Sequence, residues 1–183
     1  MNANVGLDVN RAQPKPAFAY RHIISFEETN VVGNVYFTRH VAWQGRCRET
    51  FLKLNAPDIL DEIGRDLRLV TLRVSCDYFH ELYAFDEIEV RMSLAYLRQN
   101  RIGLDFDIVT SRSDRALHAA RGFQEIGCMR STVKGLVPIH PPASLAEALK
   151  RYTKNHLDNE GGASRELHSV GDLAQPPAHD RGN

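Results

Sequence analysis

The chain has 183 residues, 43% of them hydrophobic, with 23 basic and 23 acidic side chains and no formal net charge. That length and apolar content give one soluble domain with a proper core, and the neutral balance removes any electrostatic reason to expect nucleic acid or an anionic membrane as partner. No apolar run approaches the ~18 residues of a membrane span and the N-terminus lacks a signal peptide's apolar core, so the cytoplasm is the expected compartment.

Met1 to Ala17 carries Pro14 and Pro16 without apolar periodicity and is predicted to be a loose leader. Tyr20, His22, Ile24 and Phe26 alternate with Arg21, Ile23 and Ser25, a strand signal. Glu28 continues the parity of Phe26, so it points inward if the extended backbone persists that far. A polar turn with Asn30, Gly33 and Asn34 follows; glycine and asparagine tolerate left-handed backbone. The turn runs into a long helical pattern.

On a wheel of 100° per residue, Phe37, Val41, Gln44, Gly45, Arg48, Phe51 and Leu52 share one arc, flanked by His40, Trp43, Cys47 and Leu54. The non-solvent face covers roughly half the circumference, wider than the ~100° stripe of an ordinary surface helix. This helix is therefore expected to be wrapped. Arg48 sits near the middle of the wrapped face with no acid beside it, since Glu49 points away. Its guanidinium either snorkels to a carboxylate at the rim or faces a place where negative charge is held.

Asn55-Ala56-Pro57 ends the helix, because proline disfavours helical geometry in the residue before it. Asp58 to Gly64 adds a helical turn with Asp58 as its cap. Strand patterns then follow at Val70–Tyr78, Ile88–Tyr96 and Ile102–Ile108, with a longer one over Leu117–Arg130. Gln99-Asn100-Arg101 and Ser113-Asp114-Arg115 are hairpin-sized breaks. Ser144 to Tyr152 reads as a short closing helix, and the polar tail from Thr153 is expected to be disordered. The expected organisation is a leader over 1–17, a domain over 18–152 and a tail over 153–183.

One strand, one enveloped helix and four long antiparallel strands make an α+β plan. A curved antiparallel sheet folded round a single helix, the hot-dog fold, is the arrangement that covers so much of one helix. The residues predicted for the sheet's outer face are not uniformly charged, so homodimerisation is expected.

Several chemistries lack sequence support. There is no GxSxG, no HExxH and no nucleotide-binding glycine pattern. No metal or cofactor is expected. Cys47, Cys76 and Cys128 read as reduced core thiols. The helix N-terminus is the more specific feature. Its free N–H groups, around Val35, Tyr36 and Phe37, offer an oxyanion hole for a thioester or ester carbonyl. Asn30 can hold a substrate oxygen or a water there but cannot act as an ionised base. His40 and Glu28 are possible neighbours of that site.

EETNVVGNVYF followed by WQGRCRETFL resembles the thioesterase branch of the hot-dog superfamily that includes 4-hydroxybenzoyl-CoA thioesterase. CDYFHELYAFDEIEV is similar to that family's next strand and turn, with Phe85-Asp86 in place of Gly-Asp. The match covers about Tyr20 to Val133. The usual family has an aspartate where this chain has Asn30 and, in many members, a helix glutamate that aligns with Gly45. The combination that remains resembles the thioesterases of enediyne polyketide biosynthesis.

That resemblance implies hydrolysis of a polyketide thioester on the acyl carrier protein domain of an iterative synthase. It implies release of a β-keto acid that can lose CO2 to leave a conjugated polyene. It also implies a homotetramer with active sites at subunit interfaces, Asn30 and Arg48 standing in for the missing carboxylates, and a channel opened by Gly45. Where the family often has a tyrosine, this chain has His40. Two alternatives stay open: a general acyl-CoA thioesterase with Glu28 as base, and a non-catalytic acyl-binding protein.

Overall fold

The computed structural model describes residues 16–112 and 115–153. Most of the predicted leader, nearly all of the predicted tail and the Ser113-Asp114 break lie outside the described residues. In chain order the elements are β1 (Phe18–Ile23), a short 3-10 turn (Phe26–Glu28), α1 (Thr38–Asn55), α2 (Pro57–Arg65), β2 (Leu67–Tyr78), β3 (Glu87–Arg98), β4 (Arg101–Arg112), β5 (Arg115–Thr132), β6 (Gly135–Pro138) and α3 (Ala143–Lys150). All strand pairs are antiparallel, in the order β1-β3-β4-β5-β2. β6 pairs with Met129–Thr132, prolonging the β5 edge beyond its last β4 partner at Gly127.

The α+β expectation holds, and the sheet curls round α1. Register shifts between Thr71 and Arg73, Leu94 and Tyr96, and Ile108 and Val109 interrupt three of the ladders. Such irregularities increase local twist and help long strands curl. Trp43, Cys47 and Phe51 of α1 pack with Val90, Met92, Phe106, Ile108 and Cys128 of the sheet, and Leu145, Ala148 and Leu149 of α3 belong to the same core.

Four local readings are corrected. β1 ends at Ile23 and the backbone turns into the 3-10 segment, because Ile24 donates to the Asp86 carbonyl and accepts from the Phe85 amide. Pro57, not Asp58, opens α2, and Ala56 is its cap; proline suits the first helical position because its missing N–H would have no partner there. β6 is an element that periodicity missed. It is only four residues long and exposed throughout, so it has no burial pattern to read.

The wrapped face of α1 is also rotated from the wheel arc. His40, Trp43, Gln44, Cys47, Phe51 and Leu52 are buried, whereas Phe37 is 56% exposed and Val41, Gly45 and Arg48 are half-buried. The half-covered face lies towards β2, where the sheet stops: Arg48 reaches Thr71 of β2 and Gln124 of β5. Among the described residues, β2 is an edge strand exposing Leu72, Val74 and Tyr78. The outer face of the sheet is more charged than expected. Arg21 and Arg91 both pair with Glu89, Arg121 pairs with Asp107 and Arg101 with Glu125.

Candidate active site

The turn before α1 is closed by its own polar groups. The Asn30 amide donates to the Asn34 carbonyl at 2.8 Å, and the Gly33 amide to the Asn30 carbonyl at 3.0 Å. Asn30 Oδ1 accepts from the Val32 amide at 2.9 Å, and Asn30 Nδ2 donates to Asn34 Oδ1. Gly33, at φ +93°, occupies the left-handed region, where glycine carries no Cβ penalty. The expected turn is therefore present, but the Asn30 carboxamide is engaged in building it. Asn34 extends outwards instead, its Nδ2 donating to Glu81 Oε1 at 2.9 Å, while the Tyr83 hydroxyl donates to Glu81 Oε2 at 2.7 Å.

The three expected oxyanion amides have different fates. Val35 N–H donates to the Leu82 carbonyl at 2.8 Å and Tyr36 N–H to the Glu28 carbonyl at 2.9 Å. Both are spoken for. The Phe37 and Thr38 N–H groups have no acceptor among the described residues, and they stand at the positive end of α1. The Tyr78 hydroxyl donates to the Phe37 carbonyl at 3.0 Å and fixes this end against β2.

A cleft of roughly 240 Å³ opens there, lined by Asn34, Phe37, His40, Tyr78, His80 and Glu81 among others. His40 is only 4% exposed, packed 5.0 Å from the rings of both Trp43 and Tyr78. Its Nδ1 is sealed from solvent without a hydrogen-bond partner among the described residues. Burial pushes the imidazole below its usual pKa, against an opposing influence of the Phe37 backbone.

Glu28 does not line the cleft. It is 1% exposed beneath it: Oε1 accepts from Trp43 Nε1 at 2.7 Å, and Oε2 accepts from the Ser25 amide at 3.0 Å and lies 2.7 Å from His22 Nε2. Burial alone would raise its pKa. The Ser25, His22 and Trp43 hydrogen bonds, with the His22 charge, outweigh that and bring it down to about 2. Parity placed Glu28 inward on an extended backbone; the structure turns it inward from a 3-10 turn, to tie β1 to α1.

Arg48 lies far from this end. Eleven residues of helix separate it from Phe37, about 16 Å of rise. Its Nη1 donates to Gln124 Oε1 at 3.0 Å and approaches Thr71 Oγ1 at 3.4 Å. Gln124 Nε2 in turn approaches Gln44 Oε1 at 3.4 Å, and Gln44 Nε2 reaches the Ser75 carbonyl at 3.3 Å. Gly122 leaves the room for Gln44, since an added Cβ would come within 2.2 Å of its Nε2. Arg48 thus has neutral acceptors and, among the described residues, no carboxylate within ion-pair distance. Below it a small apolar hollow of about 20 Å³ is lined by Phe51, Leu52, Leu69, Leu104 and Leu149. A Cβ on Gly45 would meet nothing within 4 Å, so this part of α1 keeps open space beside it.

Within one protomer, then, the Asn30 turn and Arg48 are not brought together. The cleft residues that sequence reasoning passed over are Tyr78, His80 and Glu81. They follow one another at the end of a strand pattern, with no spacing signal to mark them. Burial disfavours the thiolate: it pushes Cys47 up to about 12 and Cys128 to about 11, and it raises Cys76 as well. Among the described residues no cluster of three or more His, Cys, Asp or Glu could hold a metal ion, and no helix is long and apolar enough to cross a membrane.

A family model described as the thioesterase-like superfamily matches residues 24–149. The dynemicin thioesterase, known from crystal structures showing induced-fit and allosteric effects upon polyene binding, is 43% identical; the alignment covers 75% of this chain and 97% of that one, with a TM-score of 0.73. The chain belongs to the thioesterase-like superfamily. It has the hot-dog fold and is a thioester hydrolase, which sets aside the non-catalytic acyl-binding alternative. More distant structures share the fold. A 4-hydroxybenzoyl-CoA thioesterase is 12% identical with a TM-score of 0.66, over 73% of this chain and 99% of that one. A 1,4-dihydroxy-2-naphthoyl-CoA thioesterase from Synechocystis is 20% identical with a TM-score of 0.62, over 73% and 96%. No curated protein sequence matches the chain.

Proposed function

We propose that this thioesterase hydrolyses a polyketide thioester carried on an acyl carrier protein domain of an iterative enediyne polyketide synthase. Water and the acyl thioester give a β-keto acid and the free carrier thiol; the acid can then lose CO2 to leave a conjugated polyene. The observation that carries this reading is the 43% identity to the dynemicin thioesterase, a polyene-binding enzyme, over three quarters of the chain. The geometry supports it in two ways. The unengaged Phe37 and Thr38 amides offer two donors for the thioester oxyanion at the positive end of α1. The apolar hollow under Arg48 and the open space beside Gly45 offer a path for a flat acyl chain, once the hollow widens. Asn30 contributes by shaping the turn that aims those amides. No cofactor takes part in this hydrolysis.

An acyl-CoA thioesterase with Glu28 as base finds no support in the geometry, because both Glu28 oxygens are already engaged. The test compares one polyketide acyl group presented on a carrier domain and on coenzyme A. The carrier thioester is expected to turn over at least tenfold faster by kcat/KM; equal or reversed preference overturns the proposed substrate.

The same reading includes a homotetramer in the cytoplasm, with sites completed at subunit interfaces. Its support is the edge of β2, unpaired among the described residues, with exposed Leu72, Val74 and Tyr78 next to the half-covered face of α1. Light scattering at micromolar concentration is expected to give four copies, and a stable monomer refutes the assembly.

A further inference from the structure

The cleft contains donors for an oxyanion but, on the reading above, nothing yet to take a proton from water. Hydrolysis of a thioester by water alone is slow at neutral pH because water is a poor nucleophile; a positioned base gives typically 10²–10⁴-fold. Three titratable side chains line the cleft from the β2 side: Tyr78, His80 and Glu81. Burial and the neighbouring Cys76 hold the Tyr78 phenol up at about 12, and its hydroxyl already donates to the Phe37 carbonyl. Glu81 accepts from Asn34 on one oxygen and from Tyr83 on the other. From α1 comes His40, and beyond Trp43 lie His22 and Glu28, bound to each other.

His80 is exposed at the rim of the cleft, and His40 differs from all of these. It is nine-tenths buried, it is held between two aromatic rings, and its Nδ1 has no partner among the described residues. With Nδ1 sealed, Nε2 is the nitrogen left to face the cleft that the ring lines. It projects from the first turn of α1, two residues after the last unengaged amide at Thr38. Phe37 and His40 line the same cleft, so a carbonyl oxygen held by the Phe37 amide stands beside the space that His40 borders.

We infer that His40 is the catalytic acid–base of this enzyme, acting through Nε2 from a tautomer protonated on Nδ1. This rests on the thioester hydrolysis proposed above. Nε2 takes a proton from water as its oxygen bonds to the thioester carbon, and the carbonyl electron pair moves onto the oxygen held by the two amides. The tetrahedral species collapses, the C–S bond breaks, and the imidazolium returns its proton to the departing thiolate. The carboxylic acid and the carrier thiol leave with His40 neutral again. The ring needs to be neutral at rest, and its burial favours that form at pH 7.

The test is the pH dependence of kcat/KM for a simple acyl thioester of N-acetylcysteamine. For the wild type, the rate is flat near neutrality and falls tenfold per unit once pH drops through a value below the ordinary imidazole 6.5. His40→Gln keeps its Tm within a few degrees, loses about a hundredfold in rate and loses that limb. Added imidazole restores a His40→Ala variant with saturation. Glu81→Gln retains the limb.

A wild-type profile that stays flat as pH falls below the ordinary imidazole value of 6.5 overturns the assignment whatever the variants do. So does a folded His40→Gln enzyme within threefold of the wild type, or removal of the limb by Glu81→Gln, which would make Glu81 the base. A wild type inert on free and carrier-bound thioesters alike refutes the proposed function as well, whereas an active wild type indifferent to His40 refutes this inference alone.

Discussion

Replacing Arg48 by alanine lowers turnover of the carrier-bound thioester about a hundredfold while the fold persists, a loss of about 2.7 kcal/mol in transition-state stabilisation. The charge is half-buried and burial lowers its pKa, against an opposing influence of the Glu49 charge. Its contacts are the neutral oxygens of Gln124 and Thr71. A cation kept in such a place without a carboxylate among the described residues costs stability unless something anionic meets it during function. The side chain also stands over the apolar hollow and beside the open space at Gly45.

The structural cost of its removal is modest. Gln124 Oε1 loses one donor, worth about 1 kcal/mol and a few degrees in Tm. Arg48→Lys gives nearly the same loss of turnover, since an ammonium is a compact, strongly hydrated charge that lacks the planar guanidinium's several donors for an anion. Steady-state kinetics, thermal melts and light scattering on both variants decide the matter. An Arg48→Ala tetramer with near-normal turnover removes the assignment, and a lysine variant that fails to assemble makes Arg48 a structural residue.

Glu28→Gln produces the opposite pattern: a large loss of stability with turnover reduced less than tenfold. The carboxylate accepts from Trp43, Ser25 and His22, and an amide in its place must turn an NH2 towards at least one of those donors. Breaking a buried network of this kind costs about 3 kcal/mol, on the order of 10 °C in Tm for a domain of this size.

The pH dependence has a definite sign. Glu28 titrates at about 2 in the folded chain against an ordinary 4.5, so its stabilisation is present in full above 4.5 and is lost as pH falls from there towards 2. Thermal melts of wild type and variant therefore approach each other as pH falls from 4.5 towards about 2. A variant that melts like the wild type but has lost turnover would restore Glu28 as a base and reopen the acyl-CoA reading.

Some of this was determined by the sequence alone. The period-2 runs that became β3 and β4 belong to positions whose faces differ in burial, and a strand turns that difference into alternation. The same pattern in β2 was misleading, because at the edge of the sheet Leu72, Val74 and Tyr78 stay exposed. Pro57 stopped α1 through a local clash that needs no tertiary partner. The Asn30, Gly33 and Asn34 turn also closes on itself, by hydrogen bonds spanning at most four residues. These features depend on contacts within reach of one another along the chain.

What the tertiary structure decided depends on contacts that are not. A wheel weighs side chains by polarity, and by that measure Arg48 and Gly45 belonged at the centre of the covered arc. The sheet stops at β2, so coverage shifted to His40, Trp43 and Cys47. The fates of the Val35 and Tyr36 amides were fixed by the Leu82 and Glu28 carbonyls, and that of Glu28 by an indole fifteen positions away. The cleft itself joins Asn34 to Glu81 across 47 positions, and Gln44 meets Gln124 across 80. Which donor meets which acceptor at such separations is set by strand register and by its three irregularities. A polar side chain read along the sequence shows what it can donate or accept; only the folded sheet settles whether that capacity is already used or left for a substrate.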